Sequence, residues 1–112
     1  MIVAEPTPGT EIAVIARYQA LGDCGDQVAA LLGRHAAATL AEPGCRGFVA
    51  LRGTDDASSF VIYERYDSKE SFEAHLASPH YLGIARDLIR PLLRDRSVEF
   101  YRVLPPDMSG PS

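Results

Sequence analysis

The amino-acid sequence predicts an α+β fold with the element order β-α-β-β-α-β. Apolar runs rich in β-branched residues predict strands at 11–20, 45–53, 60–66 and 96–104. An Ala- and Leu-rich segment with apolar side chains at helical spacing predicts a helix between the first two strands. This order is that of a ferredoxin-like fold, in which an antiparallel sheet carries both helical segments on one face.

The first helix is expected over residues 26–41. It must end before Pro43, because the residue that precedes a proline disfavours helical backbone angles. The second and third strands then form a hairpin across the loop TDDASS. The apolar side chains that indicate this helix recur at positions 28, 31, 32, 36 and 39 or 40.

The second helical segment is expected to be split in two. Asp67 is a candidate cap for its first part, with Glu70 completing a capping box. Ser78 caps the second part, and Pro79 takes its first position, where a missing N–H costs nothing. We expect a kink at Pro91. Apolar side chains at helical spacing extend this part along positions 81, 84, 85, 88, 89, 92 and 93.

The chain has 112 residues, which is the length of one domain, expected at 11–104. Residues 1–10 and 105–112 are polar and rich in Pro and Gly, and they are expected to be flexible tails. The net charge of −4 and the lack of a basic cluster argue against a nucleic-acid partner. No run approaches the ~20 apolar residues of a membrane span. The start, MIVAEPTPGT, lacks the basic region of a secretory signal, so we expect a cytoplasmic protein.

The predicted strands do not alternate cleanly between apolar and polar residues. IAVIA, FVAL and FVIY are apolar at successive positions, which indicates burial on both faces of the sheet. Helices cover one face, so the other is expected to pack against a second copy of the chain in a two-fold homodimer. The alternative is a monomer with one solvated face and scattered surface apolar residues.

Two histidines, His75 and His80, lie at the junction between the two helical parts. Phe72 and His75 share the helical stripe that faces the sheet, and Tyr66 ends the preceding strand beside them. The helix dipole favours a protonated His75 at one helix end and a neutral His80 at the start of the next, which offers an acid and a base. The structural alternative is that His80 caps a helix, while the ring of His75 packs between helix and sheet and hydrogen-bonds to a carbonyl. His35, in mid-helix, is expected to be structural or exposed.

Common cofactor motifs are missing from the sequence. It contains no GxGxxG, GxxxxGK, GxSxG or HExxH. His75 and His80 are five positions apart, which misses the i, i+4 spacing of helical metal ligands. The sequence therefore predicts no metal, nucleotide or flavin.

Two segments, AEPGC (41–45) and FVIYERYDSKESFEAHLASPHY (60–81), together with the Ala-rich first helix, resemble the antibiotic biosynthesis monooxygenase family. The likeness runs over 11–104. It implies a ferredoxin-like subunit that dimerises through its sheet as an α/β barrel, with a pocket between sheet and helices. Some branches oxidise phenols to quinones without metal or organic cofactor. Others degrade haem, but the Asn and Trp of that branch are absent here, and Tyr66 stands at the Trp position.

From this resemblance we expect a cofactor-independent monooxygenase that acts on a small phenol or quinol with O₂. His80 would be the base and His75 the donor or orienter, while Tyr66 and Arg17 would bond the oxygen that gains charge. Two alternatives remain open: an acid–base isomerase of a small hydroxy-carbonyl compound, and a non-catalytic dimer that binds aromatic ligands. The substrate-binding candidates are Arg17, Phe60, Ile62, Glu64, Phe72 and Tyr81.

Overall fold

The computed structural model describes residues 10–110. Its four strands form one antiparallel sheet in the order β2-β3-β1-β4. The predicted ferredoxin-like α+β fold is therefore confirmed, including the hairpin between the second and third strands. The elements are β1 (Ile12–Ala20), α1 (Gly25–Leu40), β2 (Cys45–Arg52), β3 (Ser59–Tyr66), α2 (Lys69–Leu76), a π-helix (Tyr81–Ile89), a 3₁₀ turn (Arg90–Leu92) and β4 (Leu93–Arg102).

The helices cover one face of the sheet, and the strand β3 shows which face this is. Every second side chain of β3 is buried under the helices, and the side chains between them lie on the other face. The core contains Ala16 of β1, Leu32 of α1 and Ile62 of β3. On the covered face of β3 lie Phe60, Ile62, Glu64 and Tyr66.

Helix α1 buries a stripe that includes a histidine. Val28, Leu32, His35 and Thr39 are all buried on its sheet-facing side. The sequence pattern predicted that position 36, and not position 35, belongs to this buried stripe. His35 follows Val28 by seven residues and Leu32 by three, so it lies on the same face of the helix.

The cap of α2 differs from the expectation. Ser68, not Asp67, has the extended N-cap conformation, and its hydroxyl accepts a hydrogen bond from the Ser71 amide at 3.1 Å. Asp67 instead accepts a hydrogen bond from the Ser71 hydroxyl. In the second helical part, the Ser78 hydroxyl accepts from the Tyr81 amide at 3.2 Å, as a cap does.

The helix after Ser78 is shorter and wider than the periodicity predicts. From Tyr81 to Ile89 it is a π-helix, and the Arg90 amide donates to the Ala85 carbonyl five residues earlier. Pro91 lies in the 3₁₀ turn that ends the helix, so it causes a stop and not a kink. Strand β4 accordingly begins at Leu93, three residues before the expected start.

The uncovered face of the sheet exposes apolar side chains. Val49 and Leu51 of β2 are 49% and 52% exposed, and Tyr101 of β4 is 46% exposed. Val49 is paired with Tyr63, and Leu51 with Val61, so these side chains form a continuous patch. Among residues 10–110, no helix is both long and apolar enough to cross a bilayer.

Both expected tails extend outside the described residues. The structure does not describe residues 1–9 and 111–112. Residues 105–110 have neither helix nor strand and are exposed. Thr10 donates a hydrogen bond to the carbonyl of Asp67 at 3.2 Å.

Candidate active site

A carboxylate that the sequence analysis did not single out joins the two histidines. The Oε2 atom of Glu42 lies 2.7 Å from Nδ1 of His75 and 2.5 Å from Nε2 of His80. Glu42 belongs to the turn between α1 and β2, and its amide donates to the carbonyl of Thr39 at 3.0 Å. The paired histidines therefore form one hydrogen-bonded cluster with Glu42.

The topology explains why Glu42 meets the histidines. Cys45, at the start of β2, is paired with Tyr66 at the end of β3. The turn before β2 and the helix after β3 consequently lie at the same end of the sheet. This adjacency is readable from the hairpin register, and it is the signal by which Glu42 could have been found.

A second carboxylate, Glu64, lies on the other side of His75. Its Oε1 atom is 3.7 Å from Nε2 of His75 and accepts a hydrogen bond from the Tyr66 hydroxyl at 2.6 Å. The 3.7 Å separation is longer than a hydrogen bond, so a small movement or a bridging water would be needed to join them. His75 thus has one ring nitrogen on Glu42 and the other beside Glu64.

Burial sets the protonation of this group. It raises the pKa of Glu64 to about 7, although the hydrogen bond from Tyr66 opposes this shift. It raises the pKa of Tyr66 as well, reinforced by the Glu64 charge, so this phenol remains protonated. Burial also lowers the pKa of His75, an effect that the hydrogen bond to Glu42 partly offsets. The helix dipole was expected to favour a protonated His75. The side chain is only 2% exposed, however, and this desolvation favours the neutral ring.

His35 is a third histidine, and its ring packs against this cluster. Its ring centroid lies 5.3 Å from that of His75 and 5.6 Å from that of His80. Burial, together with the two neighbouring imidazoles, lowers its pKa to about 4, so His35 is neutral at pH 7. Its Nδ1 atom is buried and has no hydrogen-bond partner among the described residues. Its position in the middle of the helix did not indicate that His35 lies beside the other two histidines. The buried stripe through Val28 and Leu32 does indicate it, because it places His35 on the sheet-facing side of α1.

His35, Glu64 and His75 border a small cavity of about 30 Å³ between the sheet and the helices. Such a volume holds about two waters and is too small for an aromatic ring until side chains at the opening move. At this opening Arg96 is exposed, and Tyr81 is half-buried with its hydroxyl accepting a hydrogen bond from Arg90 at 2.7 Å. The polar side chains that line the cavity are Tyr18, His35, Glu64, His75, Tyr81 and Arg96, and Ile62 and Phe72 are among its apolar walls.

The remaining sequence candidates are divided between this cavity and other places. Arg17 lies on the opposite face of the sheet, 3.5 Å from Glu99, and cannot reach the cavity. Phe60 is buried in the core and does not line the cavity. Tyr66 and His80 also do not line it, and each is connected through a carboxylate instead. Of the three histidines, His35 and His75 line the cavity and His80 does not.

The ligand atoms of Glu42, His75 and His80 lie within 4.8 Å of one another, and a transition metal accepts such donors. A tetrahedral metal holds its ligand atoms roughly 3.3 Å apart, given metal–ligand bonds near 2.0 Å. The two histidine nitrogens are closer than this to the carboxylate oxygen. The arrangement therefore fits hydrogen bonds better, and a metal would have to push the three groups apart.

Comparisons with known proteins identify the family. Residues 11–87 match the family described as antibiotic biosynthesis monooxygenase. This match covers more than half of the chain, and the chain belongs to that family. Glu42 and both histidines of the cluster lie within the matched segment.

Individual relatives and solved structures support the family assignment. Rv0793 of Mycobacterium tuberculosis is 39% identical over 72 residues, which are 64% of this chain and 70% of that protein. Its solved structure has a TM-score of 0.73 at 33% identity, covering 89% of this chain and 99% of the other. A variant of SnoaB, described as a cofactor-independent oxygenase from Streptomyces nogalater, has a TM-score of 0.75 at 21% identity. That comparison covers 90% of this chain and 99% of SnoaB, and it shows the shared fold.

Proposed function

We propose that the protein is a cofactor-independent monooxygenase that oxidises a small phenol or quinol to a quinone with O₂. The observation that carries this proposal is the position of His75, which lines the cavity between the sheet and the helices while Glu42 holds its Nδ1 atom at 2.7 Å. A buried neutral imidazole that a carboxylate orients is suited to remove a phenolic proton. Membership of the family supports the same reaction class.

The roles differ from those expected from the sequence. His75, not His80, is the base, because it faces the cavity and burial lowers its pKa. Glu42 orients His75 and stabilises the imidazolium that forms. His80 shares the same Glu42 oxygen and fixes that carboxylate from its other side. Glu64, whose pKa is about 7, can supply a proton at neutral pH.

The reaction needs no outside reductant. His75 takes the phenol proton, and the electron-rich phenolate transfers an electron to O₂. The resulting radicals combine to form a carbon–oxygen bond on the ring. The imidazolium of His75 returns its proton to the peroxide, which gives a ring hydroperoxide. Neutral His75 then removes the C–H proton as the O–O bond breaks. The distal oxygen takes a proton from Glu64 and leaves as water, and the imidazolium of His75 re-protonates Glu64. The substrate loses four electrons and gains one oxygen atom, so one phenol and one O₂ give one quinone and one water.

We also propose that the working form is a homodimer in which two sheets pack through the patch of Val49, Leu51 and Tyr101. These side chains are about half exposed in the single chain, and an apolar patch of this kind is typical of an interface. A two-fold axis lets the same patch meet itself, as in most homodimers.

The proposed reaction is tested with hydroquinone and ¹⁸O₂, using protein treated with a chelator. We expect O₂ uptake with one labelled oxygen in each hydroxyquinone formed, and a loss of at least about 100-fold in the His75→Ala, His80→Ala double variant. Equal rates for the wild type and the double variant would refute the proposal. Proton transfer that continues under strict anaerobiosis would favour the isomerase alternative. Ring binding without any turnover would favour the non-catalytic one.

A further inference from the structure

We propose that Arg96 and Tyr18 form an anion-binding subsite at the opening of the cavity, which would select a phenol that carries a carboxylate or a similar oxyanion. This inference rests on the proposed function for the placement of the phenol end at His75. It adds the substrate class: an aromatic hydroxy acid in place of a neutral quinol.

The strand register sets the two ends of the cavity apart. Tyr18 of β1 is paired with Arg96 of β4, and both side chains line the cavity from the same level of the sheet. Glu64 of β3 is paired with Val14, four residues earlier along β1. Four strand residues span about 13 Å, so the Glu64 and Arg96 levels are about this far apart along β1. The charged ends of the two side chains lie closer together than their backbones, since the Arg96 charge opposes the rise in the pKa of Glu64. This shorter separation suits a single ring with a short acidic side chain.

Charge distinguishes the two ends as well. Glu64 and His75 form one end, and Glu42 lies behind His75, so a carboxylate group of a ligand would be repelled there. Arg96 supplies positive charge at the other end. Across residues 10–110, its guanidinium has no carboxylate within ion-pair distance. The N–H donors that do not bond Tyr18 can therefore take a ligand oxyanion in a bidentate arrangement.

Tyr18 adds a neutral donor beside this guanidinium. Burial raises the pKa of Tyr18, while the adjacent Arg96 opposes the shift, so its hydroxyl keeps its proton at pH 7. A protonated hydroxyl next to a guanidinium donates to the same anionic oxygen. Arg96 lies outside the segment 11–87 that matches the family, whereas Tyr18 lies within it.

The test measures binding under nitrogen, so that turnover plays no part. The two ligands are 3-(4-hydroxyphenyl)propanoate and its neutral amide, titrated calorimetrically into the wild type, Arg96→Gln and Arg94→Gln. Arg94 is an exposed arginine of the same strand that does not line the cavity, which makes it the matched control. We expect the wild type and Arg94→Gln to bind the acid about 10- to 100-fold more tightly than the amide. In Arg96→Gln, the affinity for the acid should fall to that for the amide.

Three outcomes would overturn the subsite. These are equal affinity of the wild type for acid and amide, an equal weakening of both ligands by Arg96→Gln, or no detectable binding of the acid. A sulfonate analogue that binds like the carboxylate would support recognition of oxyanions in general. If hydroquinone oxidation proceeds while the acid shows no preference, only the subsite fails. If the acid preference is present without O₂ uptake, only the proposed reaction fails.

Discussion

The Nδ1 atom of His75 lies 2.7 Å from the Oε2 atom of Glu42, a residue 33 positions earlier in the chain. This contact connects the turn before β2 with the end of α2, and it leaves the other ring nitrogen of His75 toward the cavity side. Because a carboxylate accepts from an N–H donor, the contact favours the neutral tautomer that carries its proton on Nδ1. The Nε2 atom then has a free lone pair.

Replacing Glu42 tests this arrangement kinetically. In Glu42→Gln, kcat for hydroquinone oxidation should fall by at least about 100-fold, while KM changes little. Glu42 raises the pKa of His75 against the effect of burial, so its neutralisation should also lower that pKa. The rising limb of the pH–kcat profile should therefore move to lower pH. A purely structural role would change the rate without moving this limb.

The matched control for that variant is Glu70→Gln. Glu70 lies in the first turn of α2 and is exposed. Its replacement should leave both kcat and the pH profile unchanged. An equal loss of rate in both variants would mean that the effect comes from general charge and not from the contact with His75.

Glu64 should make the stability depend on pH. Burial raises its pKa from 4.5 to about 7, so between these values the folded protein binds a proton that the unfolded chain has lost. The free energy of unfolding should therefore decrease as pH rises from 4.5 to 7, by at most about 3 kcal/mol, and level off above 7.

The measurement for this prediction is urea unfolding of the wild type and Glu64→Gln at several pH values. The difference between the two proteins isolates Glu64, which matters because His35 has the opposite effect. The pKa of His35 is lowered to about 4, so its contribution to stability decreases as pH falls from 6.5 to 4. Parallel pH curves for the two proteins would contradict the raised pKa of Glu64.

The homodimer is tested on the uncovered face of the sheet. The double variant Val49→Glu, Leu51→Glu places two charges in the apolar patch and should convert a dimer into a monomer, because unpaired charges are costly to bury. Light scattering after size-exclusion chromatography measures the mass. Leu40→Glu is the control, since Leu40 is 54% exposed but lies on α1. A wild type that is already monomeric at micromolar concentration would contradict the proposal.

The fold was predictable because local signals are consistent along the chain. Strands, caps and the proline positions each indicated the β-α-β-β-α-β order. The π-helix at Tyr81–Ile89 was not predicted, because the apolar residues of this segment follow the spacing of an ordinary α-helix. Asp67 and Ser68 are both good capping residues, and only the backbone conformation decides between them.

The site was predictable in part. His75, Glu64 and Phe72 line the cavity, as their faces on α2 and β3 indicated. Arg17 was expected to bond the substrate oxygen, but it lies on the face of the sheet away from the cavity. The sequence does not show which face it takes, because apolar residues occur at successive positions of β1. Glu42 was missed because a carboxylate in a turn usually lies in solvent. Its role depends on a contact between segments 33 residues apart, which local periodicity does not report.

The protonation of His75 can be read from ¹⁵N NMR of the imidazole rings at pH 7, with His75→Gln used to assign the His75 signals. We infer that His75 is a neutral base, with its proton on Nδ1 and a free Nε2 toward the cavity. We expect the nitrogen shifts of a neutral Nδ1–H ring in the wild type, and a loss of this tautomer preference in Glu42→Gln. An imidazolium at pH 7, or a proton on Nε2, would contradict the account.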